Sequence, residues 1–215
     1  MSGERLFICS LGFDERFVVR CLVRHHFGEG DIVRLITVEP LEERVEGAYR
    51  RVEELVNRLG GSIELITVNC TDMDIAISQV IEIIKNLDRD TIVNLSGGMR
   101  ILICLILLAL TIVQPKAVVK VELETEDLRR TIEIPLELLK LPSFNIGGTK
   151  LKIAKVISCR ANITISELAV DIGKDKSLVS RHIKAMEKVN LIHTERRGKI
   201  KFIRPTNTLK ALIKS

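Results

Sequence analysis

The chain is poor in aromatic residues: six phenylalanines, one tyrosine and no tryptophan make up only 3% of its 215 residues. That scarcity argues against the stacking platforms on which single-stranded nucleic acid is held, and leaves duplex DNA as the nucleic acid to consider. Five cysteines (Cys9, Cys21, Cys70, Cys104, Cys159) are scattered through mostly apolar segments without C-x-x-C spacing. They point to neither a disulfide framework nor a metal site, and read as small buried hydrophobes in a reducing cytoplasm. The longest apolar run, Ile101 to Val113, has 13 residues, short of the roughly 20 that span a bilayer. The first residues enter a strand pattern directly, with no secretory signal. A cytoplasmic protein with no membrane partner is expected. Two strong phosphate motifs are missing as well: no lysine follows a four-residue gap as in a P-loop, and no third glycine completes a dinucleotide fingerprint.

Charge is present but unevenly spread. Residues 1 to 140 hold 17 Lys+Arg against 23 Asp+Glu, a net of −6, whereas residues 141 to 215 hold 16 against 5, a net of +11. An acidic body therefore carries a basic C-terminal part, which points to nucleic acid at that end.

The chain is organised around Asn94-Leu95-Ser96-Gly97-Gly98-Met99-Arg100. A β-branched stretch, Thr91 to Leu95, precedes it and the apolar run Ile101 to Val113 follows, so the motif is a strand-to-helix turn. Two adjacent glycines permit φ > 0 and close approach of a bound group. The free amides and positive dipole end of the next helix suit a phosphate. Ser96 adds a hydroxyl, and Arg100 a guanidinium able to grip two oxygens. The plain alternative is a tight turn with no ligand. Gly28-Glu29-Gly30 reads only as a turn, and in Gly147-Gly148-Thr149-Lys150 the threonine reads as a helix cap.

Around this turn, strands at 5–10, 31–38, 62–68 and 91–95 alternate with helices at about 14–27, 41–59 and from Thr71, taken as a cap, to about Leu87. Asp72 and Asp74 occupy the first turn of that third helix. Such alternation implies a parallel sheet. Segments 117–124 and 128–134, separated by a short acidic turn, add an edge hairpin. The fold class is α/β, Rossmann-like, and the usual order 3-2-1-4 sets the first strand beside the fourth. Ser10, Leu11, Gly12, Phe13 and Asp14 would then share a pocket floor with Ser96 to Arg100, with Glu39 as a ribose-hydroxyl candidate. The fourth helix, apolar on all sides, is expected to meet the sheet on one face and a second subunit on another.

Residues 1–134 are read as this ligand-binding domain, 135–148 as a connector and 149–215 as a winged helix-turn-helix domain. In the last, Leu151, Ile153, Ala154, Val156 and Ile157 point inward from a helix. Thr164 and Glu167 form a capping box, Gly173 makes the turn, and Asp175 caps a second helix, 176–189. Leu178, Val179, Ile183 and Met186 are its apolar side. Lys176, Ser177, Ser180, Arg181 and Lys184 face outward as DNA-binding residues. A hairpin tip, Arg196-Arg197-Gly198-Lys199, completes the wing.

With these residues in place the sequence resembles the archaeal CRISPR-associated transcriptional regulators that join a CARF domain (CRISPR-associated Rossmann fold) to a winged helix. The carriers are Ser10-Leu11-Gly12-Phe13, Asn94 to Arg100 and the winged helix from about Thr149. The resemblance implies a homodimer that binds a cyclic oligoadenylate, typically cyclic tetra-adenylate, across its two CARF domains, and that regulates CRISPR loci in antiviral defence. Ligand contacts would fall to Ser10, Leu11, Gly12, Phe13, Ser96, Gly97, Gly98, Met99 and Arg100, with no other cofactor. Many relatives have Thr and Lys where this chain has Met99 and Arg100. A two-fold dimer would set two recognition helices about 34 Å apart on a palindromic duplex. Two other classes stay open. In a ring nuclease Ser10 and Arg100 would do the catalysis, although His25, His26, His182 and His193 supply no evident base. A regulator sensing NAD or another metabolite is the third reading.

Overall fold

The computed structural model describes residues 4–160, 162–198 and 200–213. The chain divides into two compact units, 1–139 and 140–215.

The first unit begins with β1 (Leu6–Ser10), α1 (Arg16–Arg24), β2 (Ile32–Val38), α2 (Glu43–Arg58), β3 (Ser62–Val68), α3 (Met73–Lys85), β4 (Thr91–Asn94) and α4 (Arg100–Val113). It ends with β5 (Val118–Glu124), β6 (Thr131–Glu133) and the single turn α5 (Leu136–Leu139). The six strands lie in the order β3-β2-β1-β4-β5-β6, all parallel except the β5–β6 hairpin. Both central strands are buried along their whole length, as expected of strands covered on both faces. On one face Phe7, Cys9, Val33, Leu35 and Ile92 pack with Val18 and Leu22 of α1 and Ala48, Val52 and Val56 of α2. On the other, Leu6, Ile8, Ile36, Val93 and Val121 pack with Ala76, Val80 and Ile84 of α3 and Leu102, Ile106 and Leu110 of α4. The chain winds outward from β1 with helices on one face, returns to β4, and winds outward again with helices on the other. The seam between β1 and β4 is therefore the topological switch point, where loops diverge and ligands find room.

Several local expectations need correcting. The N-cap of α3 is Asp72, whose carboxylate accepts from the Asp74 and Ile75 amides, while Thr71 is bound instead to Asn69. α1 is shorter than expected at both ends: Asp14 accepts from the Arg16 amide ahead of the helix, and His26 (φ +52°) turns the chain out of it. Buried cysteine holds for Cys9 and Cys21, whereas Cys104 and Cys159 are exposed. α4 buries one side and leaves Ile101, Cys104, Leu108 and Ile112 exposed along the other. No helix among the described residues is long and apolar enough to cross a membrane.

The second unit contains α6 (Thr149–Cys159), β7 (Ile163–Thr164), α7 (Ile165–Ile172), α8 (Lys176–Glu187), β8 (Ile192–Arg197), β9 (Ile200–Pro205) and α9 (Asn207–Ile213). Its small sheet has the order β7-β9-β8. Ile153, Ile157, Leu168, Val179, Ile183, Met186 and Leu209 form its core. β7 and α9 were not expected. Gly148, not Thr149, is the N-cap of α6, and Leu151 is exposed rather than inward. The stretch 135–148 is shared out: α5 packs on the first unit's core, and Leu141, Phe144 and Ile146 pack on the second's.

Candidate functional site

At the switch point the turns after β1 and β4 meet backbone to backbone. A Cβ on Gly12 would lie 2.8 Å from the Gly98 nitrogen, and one on Gly97 would lie 2.9 Å from the Ser10 carbonyl oxygen. Gly98 itself has φ +84°. Side chains cannot occupy these places, so the glycines are required by contact and by conformation.

Polar side chains lock the floor from below. The Ser10 hydroxyl is fully buried and donates to the Gly97 carbonyl at 2.6 Å, so it fastens one turn to the other and does not face the pocket. Buried Asn94 accepts from the Ser96 amide at 3.1 Å. The Ser96 hydroxyl accepts from the Glu124 amide at 2.7 Å, which leaves its own proton free to donate.

Above this floor lies a pocket of about 290 Å³. Of the expected residues, Leu11, Gly12, Phe13, Ser96, Gly97, Gly98 and Met99 line it; Ser10 and Arg100 do not. Arg100 is the first residue of α4, exposed on its outer surface. Met99, the N-cap, supplies no side-chain cap, and so leaves amides at that end unsatisfied.

The sequence reading missed the third wall. Thr37, Val38, Pro40, Glu42 and Val45 come from the end of β2 and the start of α2, and Phe17 from α1. The signal was available, because β2 ends next to β1 at the same edge. Glu39 is bonded to Thr67 at 3.0 Å and lines nothing here. Asp14, Glu42 and Glu126 bring carboxylates to the rim. Hydrogen bonds from Arg16 hold the Asp14 carboxyl below its ordinary range, and the Arg44 guanidinium lies 4.4 Å above the Phe13 ring. The rim thus offers both signs of charge, and the floor offers backbone amides.

Beside the pocket, β5 carries a buried ionic network on its α1 side. Glu122 receives Arg24 at 2.9 Å, contacts the His25 ring nitrogen at 2.9 Å, and receives Asn94 at 3.3 Å. Glu124 receives Arg20 at 2.7 Å. Burial pushes the Glu122 carboxyl up, and the His25 and Arg24 contacts outweigh it, so it lies below its ordinary range.

In the second unit the Thr164–Glu167 capping box starts α7 and left-handed Gly173 (φ +62°) ends it. Asp175 is the N-cap of α8 by backbone, without a side-chain bond. Val179, Ile183 and Met186 hold α8 to the core. Leu178 is only partly buried. Lys176, Ser177, Arg181 and Lys184 are exposed and Ser180 is half-buried. Ser177, Arg181 and Lys184 follow helical spacing along one face. Glu187 ties the wing to α8 by accepting from Thr194 and pairing with Lys201. Arg196 and Arg197 are exposed at the wing tip, with Arg197 paired to Glu195 at 3.1 Å and lying over Phe202. Lys199 lies outside the described residues.

Comparison with known proteins follows the same division. A family model described as the Csa3 CRISPR-associated Rossmann-like domain matches residues 5–135. Another, described as bacterial regulatory protein, arsR family, matches residues 148–194. The chain is similar to a Saccharolobus solfataricus protein described as a CRISPR locus-related candidate DNA-binding protein, Csa3. The two are 22% identical over 187 residues, covering 86% of this chain and 78% of the relative. Among solved structures it is similar to AF1382 from Archaeoglobus fulgidus, with 24% identity, 30% of this chain and 75% of that one covered, and a TM-score of 0.29. It is also similar to MepR, a transcription regulator of the Staphylococcus aureus multidrug efflux pump MepA, with 18% identity, 36% and 60% covered, and a TM-score of 0.32.

Proposed function

Because the chain belongs to the Csa3 family by its CRISPR-associated Rossmann-like domain, and carries an arsR-type winged helix behind it, we propose that it regulates transcription of CRISPR loci in response to a cyclic oligoadenylate. The observation that carries the ligand half is the contact of Gly12 with Gly98 at the switch point. It lets the two turns meet backbone to backbone as a glycine-lined pocket floor at the start of α4, and a helix start suits phosphate oxygens.

Size favours a shared ligand. A pocket of about 290 Å³ is at the bottom of the roughly 300–1,000 Å³ range of small-molecule sites, so one chain holds part of a ring and a two-fold mate holds the rest. The exposed stripe Ile101, Cys104, Leu108 and Ile112 starts at the same turn and gives a homodimer an apolar face beside the pocket. Phe13 and Met99 are the exposed pocket residues to which we assign closure over the ligand.

For the DNA half, Lys176, Arg181 and Lys184 on α8 and Arg196 and Arg197 on the wing carry the charge for a duplex. The N-terminal half of α8 is the part that approaches base edges. Ring binding changes DNA affinity only in so far as the ring prefers one of two arrangements of the dimer. Regulation is favoured over ring cleavage by one specific observation: the Ser10 hydroxyl is committed to the Gly97 carbonyl.

The test is a duplex from the protein's own CRISPR promoter set against a scrambled duplex at fixed salt, each with and without cyclic tetra-adenylate. The proposal expects tighter binding to the promoter and a ring-dependent change in that affinity. Equal affinity for both duplexes, unchanged by the ring, contradicts it.

A further inference from the structure

Where α1 lies over β5, a group of sulfur, nitrogen and oxygen atoms converges that neither the pocket nor the DNA-binding face uses. Cys21 lies in the last turn of α1 and His25, four residues on, is its C-cap, so both reach the same side, where they meet Glu122. The ligand atoms of Cys21, His25 and Glu122 all lie within 4.8 Å of one another. Cys9 of β1, also buried, lies in the same core cluster as Cys21.

We propose that Cys21, His25 and Glu122, with Cys9 as fourth donor, bind a zinc-class divalent transition metal ion that clasps α1 to β1 and β5. Two sulfurs, an imidazole and one carboxylate oxygen are a donor set for zinc or cobalt, not for magnesium or calcium. Tetrahedral zinc with bonds of about 2.0–2.3 Å sets its donors roughly 3.3–3.8 Å apart. Among Cys21, His25 and Glu122 the widest separation therefore closes by up to about 1 Å and the 2.9 Å His25–Glu122 contact opens by about half an ångström, movements that side-chain torsions supply, while Cys9 moves in from outside that trio. On coordination each thiol gives its proton to solvent.

A separate observation supports this assignment. Arg24 Nε and Glu124 Oε2 are buried with no hydrogen-bond partner, although Arg24 Nη1 is 3.7 Å from that same Glu124 oxygen. Arg24 is instead drawn to Glu122 Oε1. An ion on Glu122 takes over its charge and lets the guanidinium settle on Glu124, where both stranded atoms gain partners. Asn94, bonded to Glu122 at 3.3 Å, orients the carboxylate as outer-shell groups do. Asn94 also holds the Ser96 amide, so the ion sits two hydrogen bonds from the pocket floor.

The experiment uses the full chain, reduced and stripped with a chelator, then titrated with Co²⁺ and back-titrated with Zn²⁺. The proposal expects one cobalt per chain, a near-ultraviolet thiolate-to-cobalt charge-transfer band with visible bands of tetrahedral intensity, and bleaching of both by zinc. Cys21→Ser should lose most of the charge transfer. His25→Gln keeps both thiols and should lose tetrahedral intensity together with affinity, and it serves as the test should the cysteine variant fail to fold. A Cys104→Ser/Cys159→Ser double variant, altered only at exposed thiols, should keep the full spectrum. Absence of the band in the parent, or a band unchanged in His25→Gln, overturns the proposal.

Discussion

Gly12→Ala adds one methyl group, and the structure says where that methyl goes. Its Cβ would sit 2.8 Å from the Gly98 nitrogen and 3.0 Å from the Gly98 Cα. Both obstacles are backbone, so no rotamer change relieves them and the two turns must part. Overpacking of this kind costs about 1–3 kcal/mol. At around 3 °C per kcal/mol for a chain of this size, thermal unfolding should fall by roughly 3–9 °C. Parting the turns also displaces the amides that form the floor. Cyclic tetra-adenylate should then bind on the order of tenfold or more weakly, the equivalent of about 1.4 kcal/mol. Scanning calorimetry and ligand titration on the same preparation read both effects. Gly28→Ala is the control, since nothing lies within 4 Å of its Cβ position, and surface changes of this kind stay within about 0.5 kcal/mol. A Gly12→Ala protein as stable as the control, binding the ring as the parent does, would refute the close-contact account of the pocket floor.

Other consequences follow from the same structure. Arg181→Ala should relax discrimination between promoter and scrambled duplex, whereas Arg197→Ala should weaken both alike and flatten the salt dependence by about one unit, as competition binding over a salt series would show. Glu122 has a folded pKa below its ordinary value, so it contributes stability above the unfolded carboxylate range and loses that contribution as pH falls through the folded value. At neutral pH, metal-free Glu122→Gln should be about 3 kcal/mol less stable than the metal-free parent, and denaturant curves of the two should converge on acidification. A gap that stays constant from neutral pH into acid would refute that linkage. Asp72→Ala should cost about 1 kcal/mol as loss of an N-cap, while Thr71→Ala should cost clearly less in the same melts.

The features legible in the sequence are those with a local period. Alternation of strands and helices was enough to set β1 beside β4, and the capping box at Thr164 and the left-handed Gly173 were readable from spacing alone. What escaped depends on partners far along the chain. Ser10 looked like a ligand residue because a strand buried on both faces shows no alternation to say which way a hydroxyl points. The Thr37 to Val45 wall arises from adjacency of β2 to β1, not from any motif. Arg24 and His25 meet Glu122 across nearly one hundred residues, so the cysteine and histidine one turn apart on α1 carried little meaning until β5 was placed beside them. Thr71 and Asp72 are both good cap residues, and only the backbone decides between them. Leu151 and Cys104 follow an apolar rhythm yet face outward, because neither α6 nor α4 is covered on every side within its own unit.

The central claim is that the floor made by Gly12 and Gly98 collects one polyanionic ring between two copies of the chain. Calorimetric titration of the full-length protein with cyclic tetra-adenylate measures this directly. The account predicts saturable binding at one ring per two chains, with the mole ratio unchanged as protein concentration is raised. No binding by protein that still shifts its promoter duplex, or one ring per chain, would contradict it.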